Sequence, residues 1–104
     1  MKLRILDTNY DITDAVNHAT LNDLMQLKVK TKSDSYDGVS VKTIKTTFET
    51  MGQRAQQEGF DTVELLDDPV FLLNMVGVMW LARRRNGDTI TVEEAGTVTF
   101  NDFQ

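Results

Sequence analysis

The sequence has no cysteine, and that absence removes three possibilities at once: a disulfide scaffold, a cysteine nucleophile and a cysteine-ligated zinc. It has one proline, one histidine and one tryptophan, and aromatic residues make up only 8%. A lone histidine, His18, has no second histidine or cysteine to join it, which argues against the familiar histidine-based metal sites and triads. No apolar run is long enough to span a bilayer: the longest, Val70 to Ala82, is too short and is broken by Asn74. The start, Met1 to Leu6, meets Asp7 before any signal-type apolar core can form. Positive charge is also short, since 11 Lys and Arg face 16 Asp and Glu for a net charge of −5. The deficit lies wholly after Gln53, and such a chain repels phosphate backbones and disfavours nonspecific nucleic-acid binding. There is no P-loop, dinucleotide fingerprint or nucleophile elbow. Asp7-x-Asn9-x-Asp11 copies the opening of a calcium loop, but Ile12 and His18 stand where that loop requires Gly and Glu. The acidic pairs Asp67-Asp68 and Glu93-Glu94 sit at predicted helix starts, where the helix dipole accounts for them. The expectation is a non-enzyme with no cofactor, metal, nucleic acid or membrane.

What remains is one domain over 1–104, whose 104 residues can build one modest core from packing alone. Lys2 to Leu6 alternates, Asp7-Thr8-Asn9 reads as a turn, and Tyr10 to Ile12 resumes the alternation, which predicts an N-terminal β-hairpin. Such a hairpin is marginal alone and must lean on helices. Thr20 caps a predicted helix over 21–30 carrying Leu21, Leu24, Met25, Leu27 and Val29. Residues 31–38 form a polar stretch ending in Asp37-Gly38, expected to be a mobile loop. Val41, Ile44, Phe48, Met51 and Ala55 then step by three and four, one helical stripe capped by Ser40 and ending near Gln57. Asp61 to Leu66 reads as a helical turn or connector.

Asp68-Pro69 opens the main helix, predicted over 68–86 and stopped by Asn86-Gly87. From Val70 to Ala82 only Asn74 and Gly77 are not apolar, so this helix is either central in the fold or partly an interface. Phe71, Met75, Met79 and Trp80 suit a surface that accepts apolar partners, methionine being flexible and polarizable. Arg83, Arg84 and Arg85 close the helix, where they offset its dipole or form a patch for an acidic partner. These seven residues are the candidate partner-binding set. Thr91 to Glu94 is a capping-box start for one more short helix, and 97–104 is expected to be a C-terminal arm or final strand. The fold class is therefore α+β, mostly α: a hairpin packed on about three helices around a central apolar helix.

The segment Asp68-Pro69 into an apolar helix, Trp80-Leu81-Ala82-Arg83-Arg84-Arg85, a glycine-containing turn and Thr91-Val92-Glu93-Glu94-Ala95 resembles a pattern in the tail assembly chaperones of long-tailed (siphovirus-type) bacteriophages. The N-terminal hairpin and the Thr20 to Leu27 helix start are similar too, although the hairpin turn holds Asp7-Thr8-Asn9 where a glycine is usual. The resemblance implies a host-cytoplasmic protein that binds the hydrophobic tape measure protein and helps tail tube protein assemble around it. It implies a protein that is absent from the mature virion; self-association is expected separately, from so apolar a helix on a small chain. The rival expectation is a structural virion component, such as a tail-completion or head–tail connector subunit. A third is a regulatory or nucleic-acid-binding module using Arg83 to Arg85.

Overall fold

A computed structural model describes residues 2–5, 8–59, 64 and 67–99. Lys2–Ile5 (β1) and Thr8–Asp11 (β2) pair antiparallel, with Leu3 opposite Tyr10 and Ile5 opposite Thr8. The hairpin is therefore present, but its return strand begins earlier than expected. Thr8 and Asn9 are paired residues of β2 rather than turn residues, and Ile12 leaves the strand to open a helix. That helix, Ile12–Asn17 (α1), is capped by Asp11, whose side chain accepts from the Asp14 N–H at 3.1 Å. The third acid of the apparent calcium motif thus caps a helix. Ile12 and Ala15 bury on one face of α1 at helical spacing.

Leu21–Thr31 (α2) starts on Thr20, which accepts from the Asp23 N–H. Its last residue fastens the next segment. The buried Thr31 hydroxyl donates to the Leu27 carbonyl and accepts from the Val39 N–H, both at 2.7 Å. Within the polar stretch 31–38, Thr31 belongs to α2, and Ser33 and Tyr36 close a tight turn through the Ser33 N–H and the Tyr36 carbonyl at 2.8 Å. Gly38, at φ +100°, lies so close to α2 that a Cβ would stand 2.4 Å from the Lys28 carbonyl oxygen, which only glycine tolerates.

Val41–Ala55 (α3) is capped by Ser40 and Thr43 bonding each other's backbone N–H. Of its predicted stripe only Ile44 is fully buried; Val41, Phe48 and Met51 are half-buried and Ala55 is exposed. Only the first half of α3 crosses the core. Pro69–Arg85 (α4) opens on Asp68, whose Oδ1 accepts from the N–H groups of Val70 and Phe71. It closes on Asn86, with Gly87 at φ +95°. Val92–Ala95 (α5) starts with Thr91 and Glu94 bonding reciprocally at 3.1 Å.

β2, α1, α2, α3 and α5 all pack against α4. The architecture is α+β, mostly α, with α4 at the centre, ringed among the described residues by four helices where about three were expected. The additional helix is α1. Val78, Trp80 and Leu81 of α4 meet Leu27, Val39, Ile44 and Ala95 in one core. After α5, Thr97 bonds back to the Glu94 carbonyl, and 97–99 form no strand. The expected connector over 61–66 and the rest of the arm, 100–104, lie outside the described residues apart from Glu64.

Candidate interaction surface

The seven residues proposed from sequence divide: Phe71, Met79 and Trp80 are buried, Met75 and Arg83 are half-buried, and Arg84 and Arg85 are exposed. Trp80 is 1% exposed, and its indole Nε1 donates to the Ile90 carbonyl at 2.8 Å, which ties α4 to the segment before α5. Phe71, Met79 and Trp80 are taken up by packing within the chain, whereas Met75 keeps part of its surface open. The physical reason is the ring of elements around α4, which closes over Gly77 to Ala82 and leaves part of the first half of the helix open.

The three arginines do not form a free basic patch either. They fan out to three separate carboxylates. Arg83 Nε donates to Asp88 Oδ2 at 3.0 Å, in the turn just after the helix. Arg84 takes Asp23 of α2 through Nε and Nη2, at 3.4 and 3.1 Å, and its guanidinium lies 5.6 Å from the Trp80 ring centroid. Arg85 Nε donates to Asp14 Oδ2 of α1 at 2.9 Å. The arginine run is thus the clasp that holds α1, α2 and the 86–88 turn to the end of α4. Guanidinium suits this use because it keeps its charge and offers several donors in a fixed plane. The hydrogen bond from Arg85 holds the Asp14 carboxyl below its ordinary value; burial opposes this, and the charges of Arg85 and His18 add to the lowering. His18 Nδ1 stands 3.0 Å from Asp14 Oδ1.

Asn74, in sequence only a break in the apolar run, is a second clasp. It is 1% exposed; its Nδ2 donates to Tyr36 Oη and the Val70 carbonyl, and its Oδ1 accepts from the Thr43 hydroxyl at 2.8 Å. A buried amide with all these partners fixes the 33–36 turn and the start of α3 against α4.

The exposed apolar surface lies on α2. Leu21, Met25 and Val29 are 79%, 64% and 73% exposed, and their spacing of four places them in one stripe. Leu27, Asp23 and Thr31 take the inward face. Sequence reading had merged these two faces into one. The signal that separates them is the i, i+4, i+8 step of Leu21, Met25 and Val29 against the inward step from Leu24 to Leu27 and Thr31. Asp23 is drawn inward by Arg84. Asn22 and Gln26 flank the stripe on one side and Lys28 on the other. Among the described residues, Val70 and Leu72, near the start of α4, are the remaining large exposed apolar residues, at 42% and 40%.

A cleft of about 220 Å³ lies between α1 and α3, walled by Ile12, Val16, Ile44 and Phe48 and rimmed by Lys45 and Glu49. It is small beside ordinary ligand pockets, and its walls are mostly apolar. Among the described residues no group of three His, Cys, Asp or Glu side chains stands close enough to hold a metal ion. No helix among them is long and apolar enough to cross a membrane. Comparison with protein families, curated proteins and solved structures finds no match.

Proposed function

We propose that this chain is a non-catalytic phage tail assembly chaperone that binds the hydrophobic tape measure protein and promotes tail tube assembly. The resemblance around α4 and α5 suggests the class. One observation carries the binding mode: three large apolar side chains stand in a row on α2 with nothing over them, on a chain of net charge −5. A patch of this kind on a small monomer is more than scattered exposure.

The magnitude suits a transient partner. Covering a Val, Leu or Met side chain contributes about 1.5–3 kcal/mol, so this stripe offers on the order of 4–9 kcal/mol before costs. Association costs at least about 4 kcal/mol in lost freedom. The remainder supports weak, reversible binding, which fits a protein that holds a client soluble in the host cytoplasm and then leaves it. Net negative charge keeps chaperone and client dispersed. Self-association and contact with tail tube protein belong to the same proposal.

The test is a pull-down of the tagged chain from phage-infected cells, read by mass spectrometry, beside a protein inventory of the purified virion. Tape measure protein in the pull-down, with this chain missing from the virion, is the expected result. Replacing Leu21, Met25 and Val29 together by Ser should abolish that capture while leaving far-UV circular dichroism and the melting temperature near those of the parent. This chain in the virion at fixed stoichiometry would make it a structural tail component and end the chaperone reading.

A further inference from the structure

We infer that the α2 stripe recognises a partner α-helix whose own apolar stripe is edged by carboxylates. The inference rests on the reading above that this face binds a polypeptide, and it names the chemistry of that polypeptide. The first argument is shape. Leu21, Met25 and Val29 form a ridge along one helix, and a helical ridge is matched by the groove between side-chain rows of a second helix.

The second argument is charge. α2 contains one carboxylate, Asp23, and it is turned inward onto Arg84 with its side chain only 12% exposed. Every other charge on α2 is positive: Lys28 and Lys30 in its last turn, with Lys32 just beyond. Lys28 reaches Asp37 only at 3.9 Å, and both side chains remain open to solvent, so this pair leaves the lysine available. The other edge of the stripe carries the amides of Asn22 and Gln26. The exposed side of α2 is therefore apolar along its middle, with Lys28 at the edge of the stripe and Lys30 further round the helix in the same last turn, on a chain that is acidic as a whole. The helix dipole accounts for lysines at that end; it does not account for an apolar row beside them. The α2 face of a second copy has no outward carboxylate to offer these lysines. A phosphate backbone has no use for the apolar row. An acidic-edged helix satisfies both features.

The test uses the intact chain and two synthetic helical peptides of equal length and identical leucine stripe, one edged with glutamate and the other with lysine. Binding is followed residue by residue by amide NMR. The glutamate peptide is expected to move the resonances of Leu21 to Thr31 and to bind about tenfold more tightly at low salt, as two or three exposed ion pairs would provide. That preference should shrink as salt rises. Lys28→Glu with Lys30→Glu, both exposed, should reverse it without changing the fold. Equal binding of both peptides, or shifts confined to other elements, overturns the inference. The capture experiment above separates the two claims. Tape measure protein captured equally by the parent and by the double charge reversal overturns the acidic-edge inference alone. No capture, with neither peptide bound, overturns the polypeptide-binding reading and this inference with it.

Discussion

Two helical glycines make opposite predictions for the same substitution. Gly to Ala inside a helix ordinarily stabilises by about 0.5–1 kcal/mol, because alanine loses less backbone entropy on folding. At Gly52 in α3 a new Cβ would find no atom within 4 Å, so Gly52→Ala should follow that rule. At Gly77 in α4 the Cβ would stand 2.9 Å from Val39 Cγ1 and 3.3 Å from both Leu27 methyl carbons. Carbon atoms prefer about 3.5–4.0 Å, so something must move. Val39 and Leu27 are both 0% exposed. Val39 is β-branched and stiff, and its N–H is held by Thr31 at 2.7 Å. The preceding Gly38 is already pressed against the Lys28 carbonyl. Overpacking of this kind costs about 1–3 kcal/mol, which exceeds the gain in helix propensity. Gly77→Ala should therefore lose about 1 kcal/mol net, and the two variants should differ by roughly 2 kcal/mol, or on the order of 10 °C in melting temperature for a domain of this size. Urea titration followed by circular dichroism and by the fluorescence of Trp80, the sole tryptophan, reads both, with unchanged m-values confirming a common transition. Val39→Ala in the Gly77→Ala background should recover part of the loss as a coupling term in a double-mutant cycle. A Gly77→Ala protein as stable as the parent would refute the argument that α4 needs glycine for the approach of Val39.

Trp80→Ala should cost about 3–5 kcal/mol, a large share of the stability of a small domain, whereas Trp80→Phe should keep the fold and lose the bond to Ile90 in urea titration. Asn74→Ala should cost about 1–3 kcal/mol, because Thr43 and Tyr36 lose their buried partner; hydrogen exchange should then speed up in the 33–36 turn before it does in α5. Arg85 lowers the Asp14 pKa, so this pair stabilises the fold fully above Asp14's ordinary value of 3.8, and the contribution is lost as pH falls through the lower folded value. Arg85→Ala should bring the Asp14 carboxyl titration, followed by NMR, back up toward that ordinary value; an unmoved midpoint would remove Arg85 as the cause.

The parts of the fold that could be read from sequence are those set by local chemistry. Ser40, Asp68-Pro69 and Thr91-x-x-Glu94 each begin a helix where they were expected to, because a cap satisfies orphan N–H groups within one turn and needs no tertiary partner. The errors came where a local pattern served two structures. Tyr10 and Ile12 fit a period of two, yet Ile12, Ala15 and Val16 also fit a helical face, and the Asp11 cap favours the helix. The roles of Arg84 and Asn74 were out of reach, since their partners Asp23, Tyr36 and Thr43 lie dozens of residues away.

The surface was misplaced for a different reason. Hydrophobicity along a helix states how much covering that helix needs, not whether the fold supplies it. α4 needs the most and receives most of it, because five elements close around it and leave Val70 and Leu72 at its start as its exposed apolar residues. α2 needs less in total but carries two apolar faces, and α4 covers only one. Its inward face is chosen by pairings the sequence does not announce: Asp23 with Arg84, Leu27 against Gly77, and Thr31 with Val39. Once those three positions face inward, a period of 3.6 forces Leu21, Met25 and Val29 outward. The exposed row is thus a consequence of how the core is keyed, and no alternative rotation of α2 hides it without burying Lys28 or releasing Asp23 from Arg84.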